Sequence, residues 1–86
     1  MAEMIQQYTP QFQDENGVTY IVMARGEVTA EGTWEGWLEF NPVDKMGAVL
    51  RTERETTQPD RAALEYWASG LEPLYFEGAF ARARTK

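Results

Sequence analysis

With no histidine and no cysteine in its 86 residues, this sequence leaves carboxylates as the side chains that could carry acid, base or ligand chemistry. Serine and cysteine triads, histidine acid–base work and ordinary zinc sites are excluded by that inventory. The one serine is Ser69. The segment TTQPD, where a helix begins, lacks the glycines and the lysine of a phosphate-binding loop. What remains is a set of acids whose spacing makes them neighbours: Glu27, Glu35 and Glu39.

Their proximity depends on a hairpin. Val18 to Thr29 alternates, with Val18, Tyr20, Val22, Ala24, Gly26 and Val28 on one face, and Trp34 to Asn41 alternates with Trp34, Gly36, Leu38 and Phe40 on one face. A two-residue turn at Glu31-Gly32 would set Val28 against Glu35 and mix charge into the apolar face. A three-residue loop with Gly32 left-handed sets Val28 against Trp34, Gly26 against Gly36, Ala24 against Leu38 and Val22 against Phe40. That register keeps one face apolar, and it places Glu27 directly opposite Glu35 with Glu39 two places along.

Like charges directly opposite one another destabilise a sheet, so the pair asks for a reason. A divalent cation held by Glu27 and Glu35 is one answer, an incoming Lys or Arg is a second, and carboxylates pointing apart into water is the plain one. No cleft is implied, so the expectation is a protein that is not an enzyme and holds no cofactor.

The same register puts Arg25 opposite Trp37, close enough for a cation–π contact. Ile21 and Met23, with Val49 and Tyr75 from other segments, are expected on that side too. The result is a patch of Trp37, Arg25, Met23, Ile21 and Tyr75 rimmed by Glu27, Glu35, Glu39, Glu53 and Glu77. An apolar centre with a charged rim is the composition of an interaction surface, with Trp37 as its expected hot spot. A terminal segment folded over the patch is the alternative.

The elements that must position this patch are few. Thr56 to Leu71 carries the one full set of helix signals: Pro59 in the first turn capped by Thr57 or Gln58, a stripe of Ala63, Leu64, Trp67, Ala68 and Leu71, and Gly70 as a left-handed stop. Tyr66 and Trp67 could form a ligand box, but aromatic residues at helical spacing ordinarily pack on a sheet, and Trp67 is the expected anchor. Ala48 to Glu55 reads as a third strand, with Ala48, Leu50 and Thr52 inward and Val49, Arg51, Glu53 and Glu55 outward. Leu74 to Arg84 reads as a fourth strand; three alanines favour helix from Gly78 on, but Gly78 and the alternation of Leu74, Phe76 and Phe80 favour strand. Tyr8 to Phe12 could be extended, with Pro10 confining it to an edge or a loop. Residues 1–7 and 83–86 are expected to be mobile.

The expected fold is one small α+β domain over residues 1–86. It has two layers, a mostly antiparallel four-stranded sheet and one helix on one face, in the order β-β-β-α-β. The formal charge is −6, and residues 1–50 hold eight acids against only Arg25 and Lys45. Direct binding to a phosphate backbone needs the reverse balance, so nucleic acid is not an expected ligand. No apolar run approaches a membrane span and no signal peptide opens the chain, so the expected setting is the cytoplasm. The function expected is a non-enzymatic interaction module that works through the helix-free sheet face, as a homodimer or with a basic protein partner. The alternatives are an acidic inhibitor that mimics nucleic acid, and a small-ligand or divalent-cation-binding domain.

Overall fold

In the computed structural model, which describes residues 1–45 and 47–85, the chain runs through five strands and then two helices. The strands are β1 (Glu3–Gln13), β2 (Thr19–Val28), β3 (Trp34–Pro42), β4 (Leu50–Arg51) and β5 (Thr56–Gln58). The helices are α1 (Arg61–Ser69) and α2 (Pro73–Arg84). The sheet is antiparallel in the order β1-β2-β3-β4, with β5 also pairing β3. It is an α+β arrangement, as expected, with a second helix in place of the fourth expected strand.

The β2–β3 hairpin has the register argued from the sequence. Val28 faces Trp34, Gly26 faces Gly36, Ala24 faces Leu38, Val22 faces Phe40 and Glu27 faces Glu35. Gly32 takes φ 90°, the left-handed conformation the three-residue loop requires. Alternation continues through burial: Tyr20, Val22, Ala24, Leu38 and Phe40 are buried on the inner face.

Glu3 to Gln7, expected to be mobile, instead join Tyr8 to Phe12, expected to be extended, in the long edge strand β1. Its apolar residues Ile5, Tyr8 and Phe12 are three and four apart, which fits no simple strand. Register shifts between Met4 and Gln6 and between Gln7 and Gln11 absorb the extra residues. All three side chains thereby reach the core. The Tyr8 hydroxyl donates to the Ala68 carbonyl at 2.7 Å, and Phe12 meets Phe40 edge-on at 5.9 Å.

The third expected strand is broken. Only Leu50–Arg51 pairs regularly in it, and pairing with β3 resumes at Thr56–Gln58, residues assigned to the helix from sequence. In the gap, Thr52 is buried; its hydroxyl accepts the Leu38 N–H at 3.1 Å, and its own N–H donates to the Leu38 carbonyl at 3.0 Å.

Helix α1 therefore starts later than its sequence signals imply. Asp60, not Thr57 or Gln58, is the N-cap, and its carboxylate accepts the Ala63 N–H at 2.8 Å. Gly70 ends the helix at φ −93°, in the right-handed rather than the left-handed region. The deepest contact is not Trp67, which is half-buried, but Leu64, which is completely buried.

Residues 73–84 fit both periods, and they form a helix. Leu74, Phe76 and Phe80 alternate, but Phe76, Ala79, Phe80 and Ala83 fall at helical spacing, and these four are the buried ones. Leu74 is left 79 % exposed, a position a strand would have turned inward. Pro73 occupies the first turn, where its missing N–H costs nothing, and Arg82 and Arg84 sit favourably in the last. Phe80 lies 5.1–5.6 Å from the rings of Phe40, Tyr20 and Phe12, so α2 completes the aromatic core.

A clamp fixes α2 against the strand layer. Glu55, expected to point outward, accepts hydrogen bonds from the Tyr75 hydroxyl and from Arg82 Nη2, the latter at 2.8 Å. Burial alone would raise the Glu55 carboxyl, but the Tyr75 and Arg82 hydrogen bonds outweigh it and hold the group below its ordinary value of 4.5. Burial, then the facing carboxylate, pushes the Tyr75 hydroxyl up to about 12. A carboxyl lowered in the folded state contributes stability above its unfolded pKa and loses it as pH falls through the lowered value. Asp14 acts in the same direction, its carboxyl lowered first by the Val18 N–H. The melting temperature of the wild type should therefore fall more steeply below about pH 4.5 than that of Glu55→Gln. Parallel curves for the two proteins would show that the clamp contributes nothing.

Candidate functional site: the helix-free sheet face

Both helices lie on the inner face of the sheet, so the outer face carries no helix. Alternation puts Ile21, Met23, Arg25 and Glu27 of β2 on it, opposite Asn41, Glu39, Trp37 and Glu35 of β3. Seven of the eight sequence-predicted site residues thus share one face. Tyr75 does not: it belongs to α2, on the opposite layer, where it serves the Glu55 clamp.

The centre of the face differs from expectation in how it is packed. Trp37 is on the outer face but is only 4 % exposed, so it is a buried residue rather than a presented hot spot. The cation over its ring is Arg51 of β4, at 4.3 Å, rather than Arg25. Arg51 reaches it because β4 pairs with β3 so that Arg51 faces Glu39, diagonal to Trp37. Arg25 turns instead to Glu39, with Nε 3.7 Å from the carboxylate, and to the Ala2 carbonyl at 3.5 Å.

The acids on this face each meet a cation. Glu27 lies 3.0 Å from the N-terminal ammonium, Glu35 lies 3.6 Å from Arg54 Nη1, and Glu39 has Arg25. The like-charge opposition of Glu27 and Glu35 is answered by these partners within the chain. Among the described residues, no three acidic side chains converge as a metal-holding group.

Where β2 and β3 run toward the 43–49 connection, a cavity of about 380 Å³ opens beside the sheet, lined by Ile21, Met23, Asn41, Pro42, Val43, Lys45, Gly47 and Val49. Asn41, Val43 and Lys45 were not singled out from sequence. Asn41 follows the outward alternation of β3 and could have been. The other two are placed by hydrogen bonds just past the end of β3: the Val43 N–H donates to the Thr19 carbonyl at 2.9 Å and the Lys45 N–H to the Pro42 carbonyl at 3.2 Å.

A further property sets this face apart. Among the described residues, the buried side-chain polar atoms without a hydrogen-bond partner are Arg25 Nε, Trp37 Nε1 and Asn41 Nδ2. All three are N–H donors, and all three belong to outward-facing residues of β2 and β3. Buried donors normally find an acceptor, because leaving one without costs about 1–3 kcal/mol.

Comparison with known proteins adds no relative: no protein-family model matches the chain, and no significant match is found among curated proteins or solved structures. Among the described residues, no helix is long and apolar enough to cross a membrane.

Proposed function

We propose that this chain is a non-catalytic protein-docking module whose outer sheet face receives a basic protein partner or a second copy of itself. The observation that carries the reading is that the outer face is the broad surface the fold leaves open. The inner face is covered by α1 and α2. The β1 edge is interrupted by two register shifts and contains Pro10, and the opposite edge consists of strands two and three residues long. Such devices discourage edge-to-edge pairing with another chain.

The outer face by contrast combines Ile21, Met23 and Val49, the last 54 % exposed, with acids at its rim. Apolar centre and charged rim favour docking of a protein. The excess of acids favours a basic partner, through faster encounter and rejection of acidic competitors. Mimicry of nucleic acid is less well supported, because Glu27, Glu35 and Glu39 are each engaged by a cation of the same chain. The lack of cysteine is compatible with a reducing compartment, and we assign this role to the cytoplasm.

Met23→Asp tests the reading, since it places a charge in the apolar centre while leaving the core untouched. Wild type and variant should show the same far-UV circular dichroism. The wild type should either form a concentration-dependent dimer by light scattering or retain a protein from source lysate that about 1 M salt releases. Met23→Asp should weaken that association at least about tenfold. Equal behaviour of the two proteins in both assays would remove the outer face from consideration.

A further inference from the structure

We propose that the cavity beside the outer face is a binding site for a compact apolar carboxylic acid, a molecule with one aliphatic or aromatic body and one carboxylate head. This goes beyond protein docking and does not depend on it.

The walls define the body. Ile21, Met23, Pro42, Val43 and Val49 are apolar, and water held against such a surface is readily displaced by an apolar occupant. The volume of about 380 Å³ lies at the lower end of the range of about 300–1,000 Å³ for ligand pockets. At roughly 30 Å³ per water-sized group, it has room for about a dozen such groups. A small molecule fits that space.

The polar groups define the head. Asn41 lines the cavity, but its Nδ2 has almost no accessible surface and so does not face an occupant. Lys45 also lines it and makes no ion pair among the described residues. Its backbone has φ 60°, the one left-handed non-glycine residue among those described. A lysine adopts that conformation only at a cost, and residues held in such conformations cluster at ligand sites.

One ammonium, that of Lys45, matches the single charge of a carboxylate. A cationic ligand is disfavoured because no lining residue is acidic. A multiply charged phosphate is disfavoured because the cavity offers it one cation.

Octanoate is a suitable probe, titrated into the isotope-labelled full chain and followed by amide resonances. Saturable shifts are expected for the backbone amides of Ile21, Met23, Asn41 and Val49. Octylammonium should bind more weakly than octanoate. Lys45→Glu, at an exposed position, should melt as the wild type does and should weaken octanoate about tenfold or more, while changing the affinity for 1-octanol by less than about twofold. The proposal is overturned by the absence of saturable shifts at about 10 mM octanoate, by shifts confined to the helices, by preference for octylammonium, or by Lys45→Glu binding octanoate as tightly as wild type.

Discussion

Leu64→Ala is expected to cost about 2–5 kcal/mol, a large share of the stability of a domain this small. Leu64 is completely buried because two glycines make room for it. Gly26 and Gly36 face each other across β2 and β3, and a Cβ on either would lie 2.4 Å and 2.6 Å from the two Leu64 methyl carbons. The hollow where two side chains are missing is thus filled by one side chain from α1. The methyls are the end of a flexible side chain, but a fully buried leucine has nowhere to swing. Gly26→Ala also meets the Glu35 carbonyl at 3.1 Å, and Gly36→Ala meets the Thr56 methyl at 3.1 Å. Each glycine substitution should therefore cost about 1–3 kcal/mol by overpacking. The decisive comparison is the double variant Gly26→Ala/Leu64→Ala. Removing the leucine makes room for the new methyl group, so the double variant should be more stable than the sum of the two losses by about 1 kcal/mol or more. Urea unfolding of the four proteins measures this, and strict additivity would show that Leu64 does not occupy the hollow.

Trp37→Ala should cost about 3–5 kcal/mol, and it should act on folding before it acts on binding. The ring is almost wholly buried although it belongs to the outer face, and the Arg51 guanidinium lies over it. Truncation removes the ring's packing and leaves Arg51 without its surface. Trp37→Phe keeps much of the apolar contact and should lose less. Arg51→Ala removes an exposed cation–π contact of about 0.5–1 kcal/mol and should lose least. Denaturant midpoints in the order wild type, Arg51→Ala, Trp37→Phe, Trp37→Ala would agree with this packing. A loss below about 1 kcal/mol for Trp37→Ala would mean that the ring is presented to solvent.

The β2–β3 hairpin could be read from the sequence because one register alone kept charge off the apolar face, and the structure has that register. The same argument brought Glu27, Glu35 and Glu39 together with Trp37 and Arg25. What it lacked was the third strand's register, which decides that Arg51 rather than Arg25 stacks on Trp37. The Glu3 to Gln7 part of β1 is hidden in the sequence because register shifts break the period-two pattern. Residues 73–84 are ambiguous in sequence because Leu74, Phe76 and Phe80 satisfy a strand as well as a helix. Gly78 is tolerated in α2 at a cost of about 1 kcal/mol relative to alanine. Once α2 is a helix, Tyr75 and Glu55 must lie on the helix layer, which removes Tyr75 from the outer patch. The cavity depends on where Val43, Lys45, Gly47 and Val49 lie after β3, for which no local periodicity exists.

The most direct measurement of whether the outer face is the docking surface is photocrosslinking in the source cells, with a photoreactive phenylalanine analogue placed at Val49, Tyr66 or Leu74. Tyr66 and Leu74 are 82 % and 79 % exposed on the helix layer, so on exposure alone they would capture a neighbour more readily than Val49 at 54 %. The docking reading predicts a discrete adduct, to a partner or to a second copy, from position 49 and none from 66 or 74. Adducts from 66 or 74 with position 49 silent would contradict it.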